Sequence, residues 1–172
     1  MTTTTTDLGS IVARLAAASS RPRYAFMVLG LIAEAARPDG QAGPWIRVAG
    51  QGAGQGSGQG DDERHPLRDW LARQLVPLAA RDRRRAGLRA KVAARLGSDD
   101  PARVDAALAE EALSVGKANV SRAVSDLVRA GLVRRHYEGR VTDHANRGGR
   151  RLAVYAVEPS VLNAIRSRPT LV

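Results

Sequence analysis

Between Lys117 and Val157 the apolar residues change their spacing, and this limits what the chain can build. Val120, Ala123, Val124, Leu127 and Val128 recur at the i, i+3, i+4, i+7 interval of one helix face, which predicts a helix over 117–130. Gly131 follows, and a glycine there ends a helix in the left-handed conformation that other residues avoid. Leu132 to Tyr137 and Arg151 to Val157 are then rich in Val, Leu and Tyr and predict an antiparallel pair of strands. The loop 138–150 between them carries Arg140, His144, Asn146, Arg147 and Arg150, with Gly148-Gly149 for freedom of the backbone. Helix, glycine, strand, basic loop and strand therefore succeed one another without a gap.

Charge singles out the same stretch. The chain has 27 basic and 17 acidic residues, a formal net charge of +10. Residues 114–172 hold 11 basic and 4 acidic side chains, net +7, whereas 97–113 hold 1 and 5, net −4. Residues 61–96 are net +5 and residues 1–60 net +2. Such a surplus favours a polyanionic partner, and it peaks where the helix and basic loop lie. Only Lys91 and Lys117 are lysine, so the preference for arginine reads as codon usage, but the excess of base over acid does not.

Several chemistries are excluded. There is no cysteine, so disulfides, thiolate catalysis and cysteine-based zinc sites are absent. His136, Asp143 and His144 fall short of a ligand spacing, and His65 is remote. The glycines of 50–60 lack the Lys-Ser/Thr pair of a phosphate loop. No nucleophile and base can be assembled, so the chain is read as no enzyme, without cofactor or metal. The most apolar run, Tyr24 to Ala36, contains Glu34 and is shorter than the roughly 20 residues a bilayer requires. Met1 to Thr6 has no basic start typical of a secretory signal, and a cytoplasmic, nucleoid-associated protein without membrane contact is expected.

Along the chain, 1–6 is read as a disordered N-terminus and 7–48 as a helical region that would supply dimerisation. Asp7 would cap a helix through Ile11, Val12 and Leu15. Pro22 suits the first turn of a second helix over Tyr24 to Ala36, and Trp45 to Val48 reads as a short strand. Residues 49–63 form a glycine-rich linker or loop with too little apolar surface to offset the entropy of ordering. The region 64–100 is helical. Pro66 to Ala80 has Leu67, Trp70, Leu71, Leu75 and Leu78 on one face, and Pro77 should kink or end it. A second helix over Arg81 to Leu96 starts with the basic cluster Arg81 to Arg85, a solvated helix end or a second contact for a polyanion, with the solvated reading favoured because Asp82 and the preceding acids partly neutralise it. Gly97 ends that helix, Asp100 caps the next, and Pro101 takes its first position, opening a helix to about Leu113. Residues 101–158 hold the helix-and-wing region, and 159–172 a short C-terminal helix and tail. The fold class expected is mainly α with a small β-wing.

The outer face of 117–130 gathers Ala118, Ser121, Arg122, Ser125 and Arg129. Small residues allow close approach to a groove, and a few donors reach base edges. Arg122 is the first candidate for a base contact, because a guanidinium bonds guanine in bidentate fashion. Ser121, Ser125 and Arg129 are candidates on the same face. Lys117 and Asn119 fall in the expected first turn, where free N–H groups favour phosphate. Arg140, Arg147 and Arg150 are candidates for the backbone or minor groove.

Val120-Ser121-Arg122-Ala123-Val124, then Leu127, then Ala130-Gly131-Leu132-Val133-Arg134-Arg135, resembles the winged helix-turn-helix of bacterial transcriptional regulators of the MarR and GbsR type. The resemblance covers roughly residues 101–157. It implies a three-helix core with a two-stranded wing, binding double-stranded DNA as a homodimer. By position, 102–113 resembles the supporting helix, 117–130 the recognition helix and 132–157 the wing hairpin. A small-molecule effector is compatible with such a family, but no residue here points to one. Two other uses of the fold stand beside transcription regulation: a replication, partition or mobile-element DNA protein, and a protein-interaction module without DNA.

Overall fold

The computed structural model describes residues 6–47, 64–79, 84–97, 100–138 and 152–167. The chain is mainly helical with a small antiparallel sheet. The helices are α1 (Leu8–Ala18), α2 (Pro22–Ala35), α3 (Leu67–Ala79), α4 (Arg84–Leu96), α5 (Pro101–Arg129) and α6 (Pro159–Arg166). The strands are β1 (Gln41–Ala42), β2 (Trp45–Arg47), β3 (Arg64–Pro66), β4 (Val133–Glu138) and β5 (Leu152–Val157). Among the described residues no helix is long and apolar enough to cross a membrane. Two compact units emerge, 1–67 with 123–172, and 68–122; α5 runs through the division.

In the first unit, α1 begins at a capping box. The Asp7 carboxylate accepts from the Ser10 N–H at 2.7 Å, and the Ser10 hydroxyl oxygen accepts from the Asp7 N–H at 3.1 Å. Ile11 and Leu15 are fully buried, whereas Val12, expected beside them, is 51% exposed. α2 begins at Pro22 as expected and buries Val28, Leu29 and Ile32. Removing each such side chain from water contributes about 1.5–3 kcal/mol. α1, α2 and α6 pack together, and α2 lies against β1 and β5.

The sheet has the order β1-β5-β4, antiparallel throughout, with Gln41 opposite Ala156 and Val133 opposite Val157. Its two-residue strand β1 lies outside the sequence expectations. Its position follows from a turn in which the Gly40 N–H donates to the Arg37 carbonyl, with Gly40 at φ +79°, and the Val157 N–H donates to the Gly40 carbonyl. The expected strand at 45–48 is β2. It pairs with β3, placing Arg47 opposite Arg64 and Trp45 opposite Pro66. Residues 48–63 lie outside the described residues, and they join the two strands of this one ribbon. Pro66 closes β3 rather than opening the helix, which starts at Leu67.

In the second unit, α3 buries Leu71 and Leu75 and runs two residues beyond Pro77, so the proline does not end it there. α4 and the start of α5 bury Val92, Val104 and Leu108 among Leu88, Ala93, Leu96 and Ala107. Arg89–Asp105 at 2.8 Å and Arg95–Glu111 at 3.4 Å bind the same two helices together. Gly97 at φ +57° ends α4, and the Asp100 carboxylate caps α5 through the Ala102 N–H at 3.1 Å.

One expectation is corrected. The helix at 102–113 and the helix at 117–130 are a single element, α5, of 29 residues and about 43 Å. No turn separates them. Gly116 lies inside the helix facing α3, where an added Cβ would meet the Ala72 Cβ at 3.4 Å. That is an ordinary van der Waals contact, so the glycine there costs about 1 kcal/mol in helix propensity relative to alanine without being required by the packing. α3, rather than 102–113, is the separate helix packed on α5 at this point.

Candidate nucleic-acid interface

The face of α5 expected to be apolar is buried at Val120, Ala123, Val124 and Leu127, but Val128 is 38% exposed. The helix ends as its sequence suggests. Gly131 takes φ +66°, its N–H donates to the Val128 carbonyl at 3.0 Å, and the Leu132 N–H donates to the Leu127 carbonyl at 3.0 Å. Leu127 and Leu132, the two residues that such a cap brings into contact, are both fully buried. This closure delivers the chain directly into β4.

The structure separates the candidate side chains by what already holds them. Lys117 is paired with Asp69 of α3 at 2.8 Å, both partly buried. It and Asn119 lie in the interior of α5, not in a first turn, so their backbone N–H groups are engaged in the helix. That part of the phosphate-binding rationale does not hold. Ser121 donates its hydroxyl to the Lys117 carbonyl at 2.9 Å. Ser125 is half-buried and has a partner of its own. Arg129 donates to the Ala18 carbonyl at 2.7 Å and to the Asp126 carboxylate at 3.1 Å, so it fastens α5 to the end of α1. Arg122 is exposed and has no polar partner among the described residues. Arg140, Arg147, Arg150, Asp143 and His144 lie outside the described residues, as do Arg81 to Arg83.

Three arginines of the first unit serve helix ends, which sequence reading does not anticipate. Arg14 of α1 donates through Nε and Nη2 to the Ala130 carbonyl at 3.0 and 2.6 Å, and through Nη2 to the Gly131 carbonyl at 2.8 Å. Arg166 of α6 donates to the carbonyls of Ala33 and Ala36 at 2.9 and 2.7 Å, closing α2. Arg129 closes α1. Each brings positive charge to a helix C-terminus, where free carbonyls and the helix dipole favour it. Part of the arginine surplus is therefore absorbed by the fold.

β4 is an edge strand, and from Arg134 to Glu138 both its faces are exposed. The two faces differ. On one, Arg134 pairs with Glu158 at 3.1 Å, and His136 lies 3.8 Å from Glu138. On the other, Arg135 sits over the Tyr137 ring, 5.7 Å from its centroid, and no carboxylate meets Arg135 among the described residues. The chain from Val133 to Val157 carries six arginines against Glu138 and Asp143. Among the described residues no cluster of histidine and carboxylate could hold a metal.

Compared with protein-family models, with curated proteins and with solved structures, the chain matches none.

Proposed function

We propose that the protein is a sequence-specific DNA-binding transcription regulator built on a winged helix. The C-terminal half of α5 enters the major groove, and the loop 138–150 lies along the flanking backbone or minor groove. The observation that carries the reading is the strand order β1-β5-β4, with a helix fed through Gly131 into the outer strand of a basic hairpin. A winged helix has this order of strands, with its recognition helix directly before the outer one. The strand β1, missing from the sequence reading, completes the pattern. α3 then takes the supporting place expected of 102–113, and α4 with the first half of α5 is an addition.

Charge supports the same assignment. Arg122 is exposed, and among the described residues it has no polar partner on the helix that would meet the groove, so it is the leading base-reading residue. Lys117 and Arg129 already have intramolecular partners, and their weight in the reading falls accordingly. Homodimerisation belongs to the proposal, since a two-fold dimer reads half-sites about one helical turn apart.

The test is selection from a pool of random duplexes by the purified chain at low and at physiological salt, with sequencing of the bound fraction. An enriched palindrome supports a dimeric regulator and yields its operator. Binding that disappears at physiological salt with no enriched sequence overturns sequence-specific regulation.

A further inference from the structure

We infer that the stalk of the hairpin is itself a DNA-backbone contact, formed by Arg135 and Tyr137 on one face of β4. The inference rests on the DNA-binding reading above and adds two residues that neither the helix nor the wing loop supplies. Three observations carry it. β4 is an edge strand whose residues 134–138 are exposed on both faces, and Tyr137 is 52% exposed, so its ring and hydroxyl are open to a partner. The two faces carry different electrostatics. Arg134 and His136 have acidic neighbours in Glu158 and Glu138, whereas Arg135 stacks on the ring of Tyr137 and meets no carboxylate among the described residues. Directly opposite Tyr137 is Ala153, whose methyl side chain is too small to cover the ring from β5.

The chemistry follows from the stack. A guanidinium over a phenol ring keeps its charge and its in-plane donors, and the ring restricts the conformations open to the arginine. The group is then partly organised before a phosphate arrives, and the bond it makes is charge-assisted. The phenol hydroxyl of Tyr137 is a second donor on the same face, suited to the adjacent phosphate or sugar oxygen of one strand. The partner is the sugar-phosphate backbone of a duplex beside the groove occupied by α5. The contact carries no base information, so it adds affinity and register without altering sequence preference.

The experiment is a titration of the full chain against a labelled mixed-sequence duplex of about two helical turns, repeated over a salt series. Arg135→Ala is expected to weaken binding about tenfold, the scale of one hydrogen bond to a charged group. The same substitution lowers the slope of log K against log salt by about 0.9. Tyr137→Ala loses affinity too, whereas Tyr137→Phe keeps the stack and the slope. Arg135→Lys keeps the slope but binds more weakly, because it lacks the planar fork. Arg134→Ala, on the neutralised face, leaves binding nearly unchanged. Thermal unfolding of every variant is expected to match the parent, since these side chains are exposed. Parental affinity and slope in Arg135→Ala and Tyr137→Ala would overturn the stalk contact while leaving DNA binding in place. Equal losses in Arg134→Ala and Arg135→Ala would reduce it to diffuse charge. A parent chain that binds no duplex at low salt brings down the DNA reading and the stalk with it.

Discussion

Arg14 and Arg129 close each other's helices. The Arg14 guanidinium of α1 binds the Ala130 carbonyl at the end of α5, and Arg129 of α5 binds the Ala18 carbonyl at the end of α1. The Ser19 hydroxyl adds a bond of 2.7 Å to the Asp126 carboxylate, which also receives Arg129. The junction from which β4 departs is thus fixed by α1, more than a hundred residues earlier in the chain.

Arg14→Ala should lower the unfolding free energy by about 1–2 kcal/mol, because two helix-end carbonyls lose a cationic partner. Urea denaturation checks this. A midpoint equal to the parent's would show that water replaces the guanidinium without loss.

Arg122→Ala and Arg129→Ala should separate binding from stability. Arg122→Ala is expected to cost about 1–3 kcal/mol at the selected operator and relax preference at one position, with an unchanged melting temperature. Arg129→Ala is expected to lower stability by up to about 1 kcal/mol, since its ion pair is largely exposed. Equal small losses for Arg122→Ala on operator and random DNA would remove its base-reading role.

Gly116 and Gly131 should respond oppositely to alanine. Gly116→Ala in the helix interior gains up to about 1 kcal/mol of propensity, and its Cβ would make an ordinary contact with Ala72 at 3.4 Å, for a stabilising or near-neutral result. Gly131→Ala meets a left-handed backbone costing about 1–2 kcal/mol and crowds Arg14, whose Nη2 lies 3.0 Å from the added Cβ. Paired thermal melts decide, and a Gly116→Ala protein destabilised as much as Gly131→Ala would indicate a turn at 114–116.

Asp7 ties α1 to pH. Its carboxyl is held below the ordinary aspartate value of 3.8, chiefly by the hydrogen bond from the Ser10 backbone N–H. The stabilisation is complete well above 3.8 and fades as pH falls through the lowered value. Asp7→Asn should lack that component, so the stability gap between parent and variant changes only in this acid range. A gap constant with pH would sink the assignment.

The sequence was legible wherever a local rule decides the outcome. Gly97 and Gly131 end helices because their positions require positive φ, and Asp7 and Asp100 cap because their carboxylates reach N–H groups two or three residues on. The buried stripe of α5 followed from spacing alone, apart from Val128. What stayed hidden depends on partners far along the chain. Gly116 inside α5 faces Ala72, 44 residues away, a neighbour that no local rule reveals, and β1 exists because β5 supplies its bonds. A charge count treats Arg14, Arg129 and Arg166 as free cations, since nothing nearby in sequence shows that they meet carbonyls. Arg122 is the site residue that local reading ranked first, and it has no polar partner among the described residues.

The β2–β3 ribbon has a consequence for the size of the chain itself. Because Arg47 and Arg64 stand opposite each other, the intervening segment leaves and re-enters the fold at one point. A flexible segment inserted there keeps its two ends fixed by the ribbon, and doubling such a segment's length costs only about 0.6 kcal/mol. That junction is where the gene can gain codons, or accept a reporter, while Arg47 and Arg64 keep the ribbon closed on either side.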